Sequence, residues 1–415
     1  MTLNAVVGAG IFGLPSRAYA ESGAFSVVAI AACAVVASLR VLCYAEVGSR
    51  YPETGGPYLY ALKAFGPTTG FAVGWLDWLS SSTSFAAICA LFPDYLAYFW
   101  PPAGTGLPRA VAVVMVVGTL TLVNIVGIRP AARAANFFAI SKLLPLALFV
   151  VVGVWFIDPH RFSQADPTSF GAFSRSTLVL LFAFGGFGSV VVVAGEMRDP
   201  QRNIPFALLT AMGTVTILYM LVQVVCIGTL PNLAASTRPI ADAGAEFFGA
   251  RAGAFIAGGT LISVLGGLHN LTLSTPRVIF AMAEHGHWPR VFTQVHERLR
   301  TPHLAILLCS SVTLVLALTG TFIYAATMTA ITRLLIMTTT CSAMPVLRLR
   351  TRQRAPFQVP AGWLVAVLAL ALCGWLLAAS PLREARDVAV ALGVGLAMYF
   401  VARTFRLRQG FGGPA

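Results

Sequence analysis

Gly8-Ala9-Gly10-Ile11-Phe12-Gly13-Leu14-Pro15 lies in the first long apolar run of the chain, and Phe184-Gly185-Gly186-Phe187-Gly188-Ser189 lies in the sixth. Glycine weakens a helix interior by about 1 kcal/mol per residue relative to alanine. In hydrocarbon the penalty grows if the freed N–H and C=O groups find no partner. Such breaks persist only where they are buried in protein or line a wet cavity. Two readings meet here: the glycines allow close helix packing, or they interrupt two spanning helices at corresponding places. The two clusters stand five apolar runs apart, each on the first run of a five-run unit. That regularity favours interruption, and with it a central binding site.

The composition fixes the solvent. Of 415 residues, 57% are hydrophobic and only 10% are charged, against about 25% charged in an ordinary soluble domain. Mean hydropathy is +0.80. No soluble interior is large enough to hide that apolar surface, so lipid surrounds most of the chain. A soluble enzyme, a disordered protein and a nucleic-acid binder are excluded. The net charge of +13 reads instead as the basic loops of a membrane protein. Seven cysteines sit singly in apolar runs without ligand spacing. They read as small buried hydrophobes rather than a metal or disulfide framework. No cleavable signal peptide is apparent, and Met1 leads almost directly into an apolar stretch.

Continuous apolar runs of about 20 residues indicate helices rather than barrel strands. They fall near 2–19, 25–48, 71–99, 108–127, 136–157, 175–195, 204–230, 252–283, 303–320, 322–346, 361–380 and 387–404, which makes twelve. An even number puts both termini on one side. Seventeen of the 28 Lys and Arg fall on that side and eight on the other; Arg40, Lys142 and Arg333 lie within runs. The asymmetry predicts cytoplasmic termini. The expected fold is an all-α integral membrane protein with twelve transmembrane helices. Residues 1–157 form a first five-helix repeat and 175–346 a second, inverted one, with helices 1 and 6 discontinuous. Residues 361–404 add two C-terminal helices, and 405–415 a short cytoplasmic tail.

Broken helices expose their ends. A half-helix N-terminus offers unpaired N–H groups and the positive end of the dipole, which suits a carboxylate. A half-helix C-terminus offers carbonyls, which suit an ammonium group. A pocket with both suits a zwitterion, and so a free amino acid.

At these residues the chain resembles the amino acid–polyamine–organocation (APC) superfamily of transporters. The likeness begins at Gly8-Ala9-Gly10-Ile11-Phe12. It continues through Tyr44-Ala45-Glu46, the stretch from Tyr51-Pro52-Glu53 to Gly55-Gly56-Pro57-Tyr58, Gly74-Trp75 and Phe182-Ala183-Phe184-Gly185-Gly186-Phe187. Ala194-Gly195-Glu196-Met197-Arg198-Asp199-Pro200 follows, then Arg277 to Gly286 with Thr301-Pro302, then Arg333-Leu334 and Leu347-Arg348. The order is collinear from residue 4 to about 350. The resemblance implies the five-plus-five inverted-repeat fold and alternating access around spans 1 and 6. It also implies that backbone groups near Gly8, Ala9, Gly10 and Ile11 hold the substrate carboxylate, and that groups near Phe182, Ala183, Phe184 and Gly185 hold its amine. Span 6 aromatic rings often act as a gate in this superfamily. Phe182 is the candidate with Phe187 as a neighbour, set against plain core packing. The chain departs from the pattern at Gly188, where many relatives carry Glu, so a proton-sensing role tied to that Glu does not transfer.

Lys142 lies in span 5, where some proton-coupled relatives carry a Lys that bridges to span 1. Desolvation lets such a lysine gain and lose a proton during a cycle; the competing reading is a lysine snorkelling to the interface. Glu46 and Asp77 are expected near the cytoplasmic ends of spans 2 and 3. Structural or gating roles suit them, as they suit Arg40 and Arg333. Ser81, Ser82, Asn270, Ser274 and Thr275 are candidates to face the pocket.

The reading is therefore a secondary amino acid transporter, coupled to protons and selective for neutral substrates, in a bacterial inner membrane. It needs no cofactor and no metal; its partners are an amino acid, a proton and the bilayer. The alternatives are an exchanger or exporter, a cationic amino acid or polyamine antiporter, and a non-transporting amino acid sensor. A membrane enzyme lacks a motif.

Overall fold

The computed structural model describes residues 9–51, 56–127, 132–163, 168–185, 200–284, 286–351 and 355–408. Among them the chain is helical, with no strand. A lone chain in lipid satisfies its backbone within each segment only as a helix. The principal helices are α1 (Leu14–Ser22), α2 (Ser26–Arg50), α3 (Gly56–Phe65), α4 (Pro67–Leu96), α5 (Gly106–Val126), α6 (Ala132–Gly153) and α7 (Phe170–Leu180). They continue as α8 (Pro200–Thr229), α9 (Pro239–Phe248), α10 (Ala250–Glu284), α11 (His303–Thr319), α12 (Phe322–Arg350), α13 (Gly362–Ala378) and α14 (Leu382–Arg408).

Most apolar runs of the sequence meet a helix with nearly the same bounds, as with 25–48 in α2 and 303–320 in α11. Six helical stretches among the described residues are each long and apolar enough to cross a membrane. Outward faces of the helices stay apolar: Met115 and Leu122 on α5, and Val367 on the shorter apolar helix α13, are exposed. Such a surface is stable against lipid tails and not against water. Hydroxyls inside the helices bond back to their own helix, as Thr229 does to the Val225 carbonyl and Thr340 to the Ile336 carbonyl. All seven cysteines are buried free thiols.

The helices pack in a patterned way. α1 lies along α7, α2 along α8, α4 along α10, and α5 along α11. α6 packs on α10, and α12 on α4. Ser22 Oγ on α1 donates to Ser176 Oγ on α7 at 3.0 Å. Gln223 on α8, fully buried, donates to the Pro15 carbonyl of α1 at 3.2 Å and to Ser26 Oγ of α2 at 2.9 Å. The short helices α1 and α7 are thereby held side by side within a shell of longer ones.

One end of the bundle is tied by arginine. Glu46, near the end of α2, is only 1% exposed. Its carboxylate accepts from Arg348 Nε at 2.6 Å and Nη2 at 2.5 Å, and from the Val359 N–H at 2.8 Å. Arg348 Nη2 also donates to the Val359 carbonyl, and Arg350 to the Ala64 carbonyl at the end of α3. Gly362 carries no side chain because the Arg348 guanidinium fills that space. Every group in this cluster has a partner, so removing one strands the others. Glu46→Ala is expected to cost about 3 kcal/mol or more, read as a lower melting temperature in detergent. The Glu46→Ala/Arg348→Ala pair is expected to fall well short of the summed single costs, as coupled sites do.

Candidate functional site

Span 1 does not run as one helix. Ala9–Phe12 form a single 3-10 turn, Gly13 follows as a turn residue, and α1 begins at Leu14. Pro15 in the first turn of α1 fits a helix start, where its missing N–H is no loss. Span 6 is interrupted in the complementary sense. α7 ends at Leu180, residues 181–184 tighten into turns, and Gly185 has no regular structure. Phe182 N–H bonds to the Val179 carbonyl and Ala183 N–H to the Leu180 carbonyl, an i to i−3 pattern that exhausts the helix. Within the run read at 175–195, regular helix is thus lost at 181–185, and residues 186–195 lie outside the described residues. Gly8, Phe187 and Gly188 lie outside the described residues.

The two breaks touch. A Cβ placed on Gly10 would lie 2.8 Å from Phe182 Cδ1 and 3.2 Å from Ala183 Cα, so only glycine permits the approach. The N-terminus of α1 and the C-terminus of α7 thus meet, one presenting positive dipole and the other negative. α1 has no side-chain cap at Gly13. Ser16 Oγ, in its first turn, is buried with no partner among the described residues. Among the described residues, the Ser16 hydroxyl is thus a donor left over at this end.

Three side chains from neighbouring helices hold the freed carbonyls. Tyr95 on α4 donates to the Phe12 carbonyl at 2.7 Å. Tyr219 on α8 donates to the Ala183 carbonyl at 3.2 Å. Arg333 on α12 donates through Nη1 to the Phe182 carbonyl at 3.0 Å and through Nη2 to Ser84 Oγ on α4 at 3.0 Å. Its guanidinium also lies 5.6 Å from the centre of the Phe182 ring and fills the space beside Gly185. The Phe182 ring sits between Gly10 and Phe322, 5% exposed, with the Phe322 ring edge-on at 6.1 Å. Phe184 is fully buried against Tyr219.

The sequence-expected residues separate accordingly. Ala9, Gly10 and Ile11 form the span 1 break, and Phe182, Ala183, Phe184 and Gly185 the span 6 break. Lys142 is on α6, with its side chain outside the described set. Asp77 lies in the N-terminal half of α4, the part of span 3 expected to be cytoplasmic. It sits within electrostatic reach of Arg333 and Arg40. Asn270 and Ser274 were expected to face the pocket; both are exposed, because the register of α10 turns Leu268, Thr272 and Thr275 inward instead. Ser82 is buried, with Oγ unpartnered among the described residues. Tyr95, Tyr219 and Ser84 were missed. No local pattern marks a tyrosine or serine that will reach a break on another helix.

A family model described as amino acid permease matches residues 1–399. The chain belongs to the amino acid permease family. Within it, and within the APC superfamily, this permease is similar to a serine/threonine exchanger of Bacillus subtilis (strain 168), 29% identical over 74% of this chain and 72% of that one. It is 26% identical to the methylthioribose transporter of the same organism, over 96% of this chain and 90% of the relative. A large neutral amino acids transporter small subunit 2 from Rattus norvegicus is 28% identical over 76% of the permease and 62% of its own length. The permease is therefore a multi-pass membrane transporter and not an enzyme.

The contact between the breaks gives a sharp expectation. Gly10→Val forces the Phe182 ring and the Ala183 backbone away, and is expected to abolish amino acid uptake with the protein still present in the membrane. Gly118→Ala and Gly213→Ala, where a Cβ meets open space, are expected to leave uptake within about twofold, since surface changes stay near ±0.5 kcal/mol.

Proposed function

We propose that this permease carries neutral amino acids across a bacterial cytoplasmic membrane by alternating access, coupled to protons, with both termini inside. The observation that carries the reading is the meeting of two opposed half-helix ends at Gly10 and Phe182. An α-amino acid is a zwitterion with its two charges only a few ångströms apart. A site made of one positive and one negative dipole end matches it without a dedicated ion pair. Gly8 to Ile11 and the first turn of α1 take the carboxylate; Phe182 to Gly185 take the amine. Phe182, wedged against Gly10, is the gating ring, and Phe187 is its proposed neighbour.

The helix packing supports twelve crossings built on an inverted repeat. The pairs α1–α7, α2–α8, α4–α10 and α5–α11 are crossings 1–6, 2–7, 3–8 and 4–9. The contacts of α6 with α10 and of α12 with α4 are 5–8 and 10–3. An axis that exchanges two five-helix halves, 1–157 and 175–346, turns each contact into itself or its counterpart. Crossings 11 and 12, 361–404, stand outside that exchange. An odd number of crossings per half makes the halves opposite in orientation.

Neutral selectivity draws support from the relatives named for serine/threonine and for large neutral amino acids. The exchanger among them favours obligate exchange as the second reading. For proton coupling the proposed residue is Lys142 on α6, a helix packed on both α10 and α8.

Purified protein in liposomes, tested with twenty labelled amino acids with and without an inside-alkaline pH gradient, decides between these readings. Accumulation of a neutral amino acid driven by the gradient is the expected result. Uptake only from vesicles preloaded with an amino acid establishes exchange instead. No uptake under either condition removes the carrier reading. In the same assay Lys142→Gln is expected to lose gradient-driven accumulation and flatten the pH profile. An unchanged rate and profile take Lys142 out of the mechanism.

A further inference from the structure

The carbonyl end of the span 6 break is not open to an ammonium group alone. Arg333 already stands there. It lies about midway along α12, eleven residues beyond Phe322. Its donors go to the Phe182 carbonyl and Ser84 Oγ, both uncharged acceptors at 3.0 Å. Its Cζ lies 5.6 Å from the centre of the Phe182 ring, the ring packed against Gly10. Gly185 has no side chain where the guanidinium sits. A guanidinium stays protonated in proteins, so a fixed positive charge lies beside the proposed amine subsite. Among the described residues, the other full charges acting on it are Asp77 on α4 and Arg40 on α2. Counting the described residues alone, one carboxylate and two guanidinium groups act on one another there, a positive excess.

We infer that Arg333 is the specificity-determining residue of this site, admitting amino acids of zero net charge and excluding those with a cationic side chain. The inference rests on the amino acid carrier reading and adds the residue that sets its substrate class. A zwitterion brings a carboxylate with its amine, and its net interaction with the guanidinium is small. A substrate with a second ammonium or guanidinium brings an uncompensated charge into the same low-dielectric centre. Two like charges about 6 Å apart at an effective dielectric near 20 weaken binding on the order of 100-fold. The partial offset from Asp77 brings the expectation to between roughly 10- and 100-fold. The cost to the protein of holding a cation there is met by the dipole end of α7, whose last carbonyls face the guanidinium.

Citrulline and arginine form the test pair, since they share length and shape and differ in side-chain charge. Each competes against uptake of the labelled neutral substrate in liposomes, and the ratio of their inhibition constants is read. In the unsubstituted protein citrulline is expected to compete at least 10-fold better than arginine. In Arg333→Gln the ratio is expected to fall toward one. Ser84→Asp keeps Arg333 but sets a carboxylate against its Nη2, and is expected to shrink the ratio as well. Arg333→Lys keeps the charge and is expected to keep the ratio. A ratio unchanged in both Arg333→Gln and Ser84→Asp overturns the inference. Arg333→Gln keeps a side-chain donor for the Phe182 carbonyl; where transport is nevertheless lost, the same citrulline-to-arginine ratio is read from binding to the purified variant, and a ratio still at least 10-fold there also overturns the inference. Failure of the unsubstituted protein to move any amino acid is a different result: it refutes the carrier reading itself, and this inference with it.

Discussion

Everything in the centre of this permease follows from one constraint: backbone polar groups freed inside a membrane must be satisfied by something other than bulk water. Two helices are interrupted there, and each interruption releases carbonyls and N–H groups that cost several kcal/mol apiece if left bare in hydrocarbon. The released groups are divided. Tyr95, Tyr219 and Arg333, from three different helices, take the Phe12, Ala183 and Phe182 carbonyls. Among the described residues, the N-terminal end of α1 has no side-chain cap, and Ser16 beside it has an unpartnered hydroxyl. The carbonyl side is thus largely braced by the protein, while the N–H side keeps that hydroxyl as a donor.

That asymmetry has mechanical meaning. Each bracing side chain joins a break to a long helix, so the breaks cannot shift without moving α4, α8 or α12. The Gly10–Phe182 contact adds a direct link between the two broken spans. A small change at the centre is therefore felt along three helices at once. The Glu46–Arg348 cluster does similar work at one end of the bundle, where α2, α12 and the segment around Val359 share a single network. In that cluster, unlike the centre, every group is paired, and the expected role is to hold rather than to bind.

Much of this was legible in the residues. The glycine clusters marked both breaks because glycine is costly in a helix whatever surrounds it. Apolar run length marked the helices because the bilayer sets their span. Pro15 marked the start of α1. In the sixth run the glycine cluster marked where regular helix is lost, at 181–185. Asn270 and Ser274 were misplaced because rotation about a helix axis in lipid leaves a weak sequence signal: both faces of such a helix are apolar. That Arg333 and Arg40 act on Asp77 was not legible, because those arginines lie on other helices.

The sequence by itself determined the solvent, the helical class, the positions of the two interruptions and the family, since each depends on local composition or on residues in fixed order. Only the tertiary structure decided that the interruptions touch at Gly10 and Phe182, and that Arg333, 151 residues from Phe182 along the chain, stands at its carbonyl. Those facts depend on how helices rotate and stack against one another. In a membrane that choice rests on van der Waals fit and a few interhelical hydrogen bonds, neither of which is written in any single stretch of residues.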